Sequence, residues 1–148
     1  MRVAGGLLAA SLLFNCVSLA LAQKGQKPKS EAKEKRESPY EELAQVPEAA
    51  RARANPLGSD PEAIPAGKKL FARHCAECHG ANAEGGRRGP SLRASEVQNS
   101  TAGALFWVMT NGAVRSGMPV WSKLPEPQRW QIVTYVKSLG TAESPASH

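Results

Sequence analysis

The pentapeptide Cys75-Ala76-Glu77-Cys78-His79 constrains this chain more than any other stretch. Two thiols spaced C-x-x-C stand one helical turn apart, a separation that lets them add to the two vinyl groups of a haem. The adjacent histidine then presents its imidazole to the iron from the same side of the ring. On this reading Cys75 and Cys78 attach the porphyrin covalently, His79 is the proximal axial ligand, and Ala76 and Glu77 need only suit the turn. Two other chemistries share parts of the pattern. A thioredoxin-like redox pair wants a strand ahead of the motif in a βαβ setting, whereas Gly67 to His74 reads as helix. A zinc cage wants four ligands, and the other histidines are His74, abutting Cys75, and His148 in a polar tail.

The amino terminus points to export. Met1-Arg2 supplies a positive start, the run to Leu21 is mostly Leu, Ala and Gly, and Ala20-Leu21-Ala22 before Gln23 is a small-x-small cleavage pattern. Residues 1–22 therefore read as a secretory signal peptide or, uncleaved, as a membrane anchor. Ser11, Asn15, Cys16 and Ser18 interrupt the apolar run and weaken the spanning reading. With Cys16 in the leader, Cys75 and Cys78 are the remaining pair, which is no disulfide scaffold. An exported compartment also suits covalent haem attachment, which is made outside the cytoplasm. The net charge of +6 is too mild to point to nucleic acid.

The remaining chain divides by composition. Residues 23–59 begin with a Lys, Glu, Gln, Ser and Pro run that cannot bury enough apolar surface to offset its ordering entropy, so this segment is expected to be a flexible extension. Within it, Tyr40 to Ala54 can form a short helix or two, broken at Pro47. A domain is expected over 60–140 and a disordered tail over 141–148. Asp60-Pro61-Glu62 is helix-start chemistry, although Pro65 allows a later start. Gly67, Leu70 and Phe71 share a face of that helix. Gly80, Gly85, Gly86 and Gly89, with Asn82 and Pro90, make a loop. Ser100 or Thr101 caps a helix from about Ala102 to Asn111, closed by Gly112. A last helix from about Glu126 to Leu139 places Ile132, Tyr135, Val136 and Leu139 on one buried stripe and ends at Gly140. Pro 11 and Gly 13 with only 5% aromatics favour short helices and long loops over a sandwich or barrel.

A second axial donor is expected at Met118, in Ser116-Gly117-Met118-Pro119. Gly117 would let the backbone approach the haem, Pro119 stiffens the loop, and a neutral thioether favours ferrous iron and raises the reduction potential. Met109 is the rival, but it lies within Leu105-Phe106-Trp107-Val108-Met109, which reads as core. The carbonyl of Pro90 is placed to accept the free ring N–H of His79 and fix its tautomer. Trp107, Trp121, Trp130, Arg115 and Lys123 are candidates to line the haem or bond its propionates.

Three features follow one another: Cys75-Ala76-Glu77-Cys78-His79-Gly80, then Gly89-Pro90-Ser91-Leu92, then Gly117-Met118-Pro119-Val120-Trp121. With them, the stretch from about Asp60 to Gly140 resembles the class I, monohaem, c-type cytochromes of bacteria. The resemblance implies an all-α, small cytochrome c fold: three or more short helices with long loops wrapped around one covalently bound haem c. It implies that Gly67 and Phe71 cross the last helix near Ile132 and Tyr135, and that the Pro90 carbonyl bonds His79. The long charged extension departs from the family pattern.

The implied role is a periplasmic one-electron carrier cycling iron between Fe(III) and Fe(II) in a respiratory or dehydrogenase-linked chain. With both axial positions filled by protein, catalysis at iron is disfavoured. Such a monomer would exchange electrons with redox protein donors and acceptors, with membrane association through the amino terminus as an option. One alternative is a dedicated haem subunit or tethered domain of a larger oxidoreductase, with 23–59 as its docking element. The other is a haem sensor or enzyme whose sixth ligand is labile.

Overall fold

The computed structural model describes residues 38–141. The expected signal peptide, the first part of the extension (23–37) and the tail beyond Thr141 lie outside the described residues. Among the described residues the chain is all-α, with seven helices and one isolated antiparallel bridge, Ala113 to Met118. In order they are α1 (Glu41–Ala44), α2 (Glu48–Arg51), α3 (Ala63–His74), α4 (Ala76–His79), α5 (Ser95–Gln98), α6 (Ala102–Asn111) and α7 (Glu126–Thr141), with a 3-10 turn at Val114–Ser116.

The frame is the crossing of α3 and α7. Asp60 forms the entry turn, its side chain accepting from the Glu62 N–H at 2.9 Å, and the helix proper begins at Ala63. Pro65 thereby falls in the first turn, where its missing N–H has no intrahelical partner to lose. The buried face of α3 is Ala63, Gly67, Leu70 and Phe71. It meets the α7 stripe, in which Ile132, Tyr135, Val136 and Leu139 are all buried. Fully burying side chains of this kind contributes about 1.5–3 kcal/mol each. The crossing is close because residue 67 has no side chain: a Cβ there would lie 2.0 Å from the carbonyl oxygen of Gln131 and 2.9 Å from the Tyr135 Cβ. Phe71 packs on Tyr135 with ring centroids 5.3 Å apart. The crossing thus falls where the resemblance implies.

Helix α6 has the boundaries expected from sequence. Thr101 Oγ1 accepts from the Ala104 N–H at 3.1 Å, and Gly112 at φ +76° ends the helix. Phe106 of α6 stacks on Trp130 of α7 at 3.9 Å. Helix α7 runs through Gly140 to Thr141 rather than stopping before it, a difference of the size usual for helix ends.

The expectation of a flexible extension over 23–59 needs correction for its described half. Helices α1 and α2 form, with Pro47 between them, and pack on α6. Val46 is 4% exposed. The Thr101 hydroxyl donates to the Arg51 carbonyl at 2.8 Å, and the Arg53 guanidinium lies over Phe106 at 4.7 Å while pairing with Glu126. Tyr40, Leu43 and Val46 supply the apolar contacts that the preceding charged run lacks, so ordering entropy is offset from Tyr40 onward.

Candidate functional site

Helix α4 is a single turn that continues α3 after a break at Cys75, whose backbone sits at φ −120°, ψ −32°. The Cys75 N–H still donates to Phe71 O at 2.8 Å, and the Cys75 carbonyl accepts from His79 N–H at 3.0 Å. The two cysteines are therefore presented one turn apart, at the end of the helix that crosses α7. Both thiols are free and half-buried. Burial pushes the Cys75 thiol up to about 12, with Cys78 beside it adding to the shift, so the folded chain carries it protonated. A thioether carries no charge and is free of that penalty.

His79 is buried, and its Nδ1 lies 2.8 Å from the carbonyl oxygen of Pro90. A carbonyl can only accept, so Nδ1 carries the proton and Nε2 presents its lone pair. Nε2 has no hydrogen-bond partner among the described residues. The loop holding Pro90 is itself tied back to the motif: Gly85 N–H donates to His79 O at 2.7 Å, and Leu92 N–H to Ala83 O at 2.9 Å. This is the orientation a metal-binding imidazole needs.

Met118 comes from the other side of the chain. Its N–H donates to Ala113 O at 3.0 Å and its carbonyl accepts from Ala113 N–H at 3.1 Å, closing a short loop around the 3-10 turn. Gly117 closes that loop at φ +86°, in the left-handed region that disfavours side chains. A Cβ on Gly117 would meet no protein atom within 4 Å, so within the protein it is the positive φ of the turn that calls for glycine here.

Cys75, Cys78, His79, Pro90 and Met118 all line one cavity of about 350 Å³. That lies within the roughly 300–1,000 Å³ typical of small-molecule and cofactor sites. Phe71, Val97, Ile132, Val133 and Val136 make its floor apolar. Two thiols one turn apart, an imidazole with a free Nε2, a thioether and apolar walls fit a haem c. Among the described residues no three His, Cys, Asp or Glu side chains converge on one point, as a zinc cage would require.

The other candidates divide. Trp121 lines the cavity and meets His74 edge-on at 5.5 Å. Trp130 is core, stacked on Phe106, and Trp107 borders a separate small cleft. Arg115 and Lys123 are exposed and do not line the cavity. Met109, the rival ligand, also reaches the cavity but is 6% exposed within the core. Missed from sequence were Tyr40 and Leu43 on the wall and the Glu77–Arg88 ion pair at the rim. The signal for the first two was the apolar spacing of Tyr40, Leu43 and Val46.

The family described as cytochrome c oxidase, cbb3-type, subunit III matches residues 62–136, half of the chain. The cbb3-type cytochrome c oxidase subunit CcoP of Rubrivivax gelatinosus is 33% identical over 91 residues, covering 60% of this chain and 30% of that protein. The corresponding subunit FixP of Sinorhizobium medicae (strain WSM419) is 34% identical over 89 residues, covering 57% and 30%. The chain thus aligns with 30% of the length of these curated relatives. A solved structure, cytochrome CL from the marine methylotroph Methylophaga aminisulfidivorans MPT, superposes with a TM-score of 0.49 at 33% identity, covering 56% of this chain and 57% of that one.

Proposed function

The chain belongs to the cbb3-type cytochrome c oxidase subunit III family, and from that premise we propose that it relays single electrons as a dedicated haem subunit or tethered domain of a larger oxidoreductase. The observation that carries the haem reading is the free Nε2 of His79, beside two free thiols one turn apart on the wall of an apolar cavity. When bound, one covalently attached haem c supplies an iron that cycles between Fe(III) and Fe(II). Cys75 and Cys78 hold it to the chain. His79 is the proximal ligand, and Pro90 fixes its proton on Nδ1. Met118 would supply the second donor to the iron, favoured over Met109 because it stands on a loop at the cavity while Met109 is a buried member of the core cluster. The apolar floor excludes water, which together with the thioether raises the reduction potential. With both axial sites filled, the chain transfers electrons and performs no chemistry on a substrate.

The subunit reading replaces the free periplasmic carrier as the leading one because the family and both curated relatives are subunits of an oxidase. Export rests on the leader pattern. Among the described residues no helix is long and apolar enough to cross a membrane, so any anchor would come from elsewhere in the chain. Contact with redox partners is expected around the Met118 loop, where Val114 and Val120 are exposed.

The test is expression in a host competent for cytochrome c maturation. Haem staining should follow the chain on a denaturing gel and vanish in the double variant Cys75→Ser, Cys78→Ser. Haem that separates from the chain in denaturant refutes attachment. For the assembly, the native protein should fractionate with membrane-bound oxidase activity; recovery wholly in the soluble fraction restores the free carrier.

A further inference from the structure

The segment Pro39–Leu43 borders the haem cavity and touches both loops that supply its axial groups. The Tyr40 hydroxyl donates to Ser91 O at 2.9 Å, and Ser91 directly follows the carbonyl that fixes His79. The Ser116 hydroxyl donates to Glu42 Oε1 at 3.3 Å, two residues before Met118. Residues 40–42 therefore bridge two loops that are otherwise tied to different parts of the fold.

The segment is also well anchored. Arg51 reaches back over its end: Nε donates to Val46 O at 3.0 Å, and Nη2 donates to the carbonyls of Ala44, at 3.1 Å, and Leu43. The Arg51 carbonyl in turn accepts from the cap of α6, Thr101. The α2 backbone lies so near α6 that a Cβ on Gly103 would stand 2.2 Å from Ala50 O. A bridge fixed this firmly at one end can transmit position to what it touches at the other.

We propose that Pro39–Leu43 is a strap that clasps the two axial-ligand loops, with Tyr40 and Glu42 as its positioning residues. The strap rests on the reading of His79 and Met118 as iron ligands. Its effect is to slow the opening of the Met118 loop, and so to slow replacement of Met118 by an outside ligand. Tyr40 acts through the Pro90–Ser91 loop and Glu42 through the Ser116–Met118 loop, and neither touches iron.

The test uses the haem-loaded full chain in the ferric state, with imidazole as the displacing probe. Tyr40→Phe keeps the ring and removes the hydroxyl; Glu42→Ala removes the acceptor of the Ser116 hydroxyl bond. Loss of one such hydrogen bond should speed imidazole entry about five- to tenfold, with the Met–iron absorbance band still present before imidazole is added. A double variant should be faster than either single one. Unchanged entry rates in both single variants overturn the strap, as does a lowered unfolding temperature with no change in entry rate. Met118→Ala that admits imidazole no faster than the parent chain overturns the axial assignment beneath the strap. Haem staining on a denaturing gel, run alongside, reads the attachment at Cys75 and Cys78 independently of either result.

Discussion

Two parts of the cavity wall are built to different standards. In one part His79 sits in a hydrogen-bonded turn that continues the twelve-residue helix α3, buried, with its ring set by Pro90. In the other part, Met118 stands on a loop whose residues Val114 to Gly117 are all exposed, closed by backbone bonds from Met118 and Ser116 to Ala113. One wall is an extension of the core, and the other is a clamp. Segments with few buried contacts open at lower free energy than the core they adjoin. If His79 and Met118 are the axial ligands proposed above, exchange at the iron is expected at the Met118 loop, while His79 holds the group in place.

The largest effects should separate those two parts. His79→Ala is expected to abolish the low-spin spectrum and most haem retention during maturation. Met118→Ala should keep the covalent haem, let carbon monoxide bind the ferrous protein readily, and lower the reduction potential by on the order of 0.1 V. A redox titration of both variants reads this directly, and equal effects would erase the distinction. Met109→Ala should leave the axial spectrum alone yet cost about 2–5 kcal/mol in denaturant unfolding, because it empties core volume. If Met109→Ala instead removes the Met–iron band, the second ligand belongs to α6.

Behind the firm wall lies the α3–α7 crossing, and Gly67→Ala probes it. The new Cβ would meet the Gln131 backbone, which cannot rotate away, so the helices must separate. A loss of about 3 kcal/mol is expected in chemical unfolding of the haem-loaded chain. If rigidity on the His79 side comes from this crossing, imidazole entry at Met118 should stay within about twofold of the parent.

The same contrast governs how much was legible in the sequence. The α7 stripe, the Thr101 cap and the Gly112 stop are local patterns, and each appears where its spacing implied. The Cys75–His79 turn is local too, since the Cys75 carbonyl accepts from the His79 N–H four residues on. Pro90 was reachable because the His79 partner must be a fixed acceptor, and a proline carbonyl in a tight loop is one. Tyr40 was not: its hydroxyl bonds a carbonyl 51 residues away, and the charged run before it masks three apolar residues. Trp130, open in sequence between core and haem lining, is core. An indole reads as a haem-lining group until Phe106 is seen stacked on it. The left-handed turn at Gly117 was not legible either, because a glycine in the sequence does not reveal its backbone angles.

The smallest predicted effect compares a residue of the strap with one beyond its reach. Lys137 Nζ donates to Ser100 O at 2.9 Å and to the Gln98 carbonyl, and burial lowers its pKa from 10.5. Between the lowered folded value and 10.5 the unfolded chain binds more protons, so this residue makes stability rise with pH in that window. Tyr40 is shifted upward from 10.0, chiefly by burial and then by Glu96, so the unfolded chain loses that proton first. Its contribution falls as pH rises from about 10 through the folded value. Denaturation midpoints between pH 8 and 11 should therefore lose their rising component in Lys137→Met and their falling component in Tyr40→Phe. Each hydrogen-bond loss should amount to about 1 kcal/mol or less. Only Tyr40→Phe should also speed ligand entry; an equal acceleration in Lys137→Met would mean that the Met118 loop responds to general loosening of the fold and not to the strap.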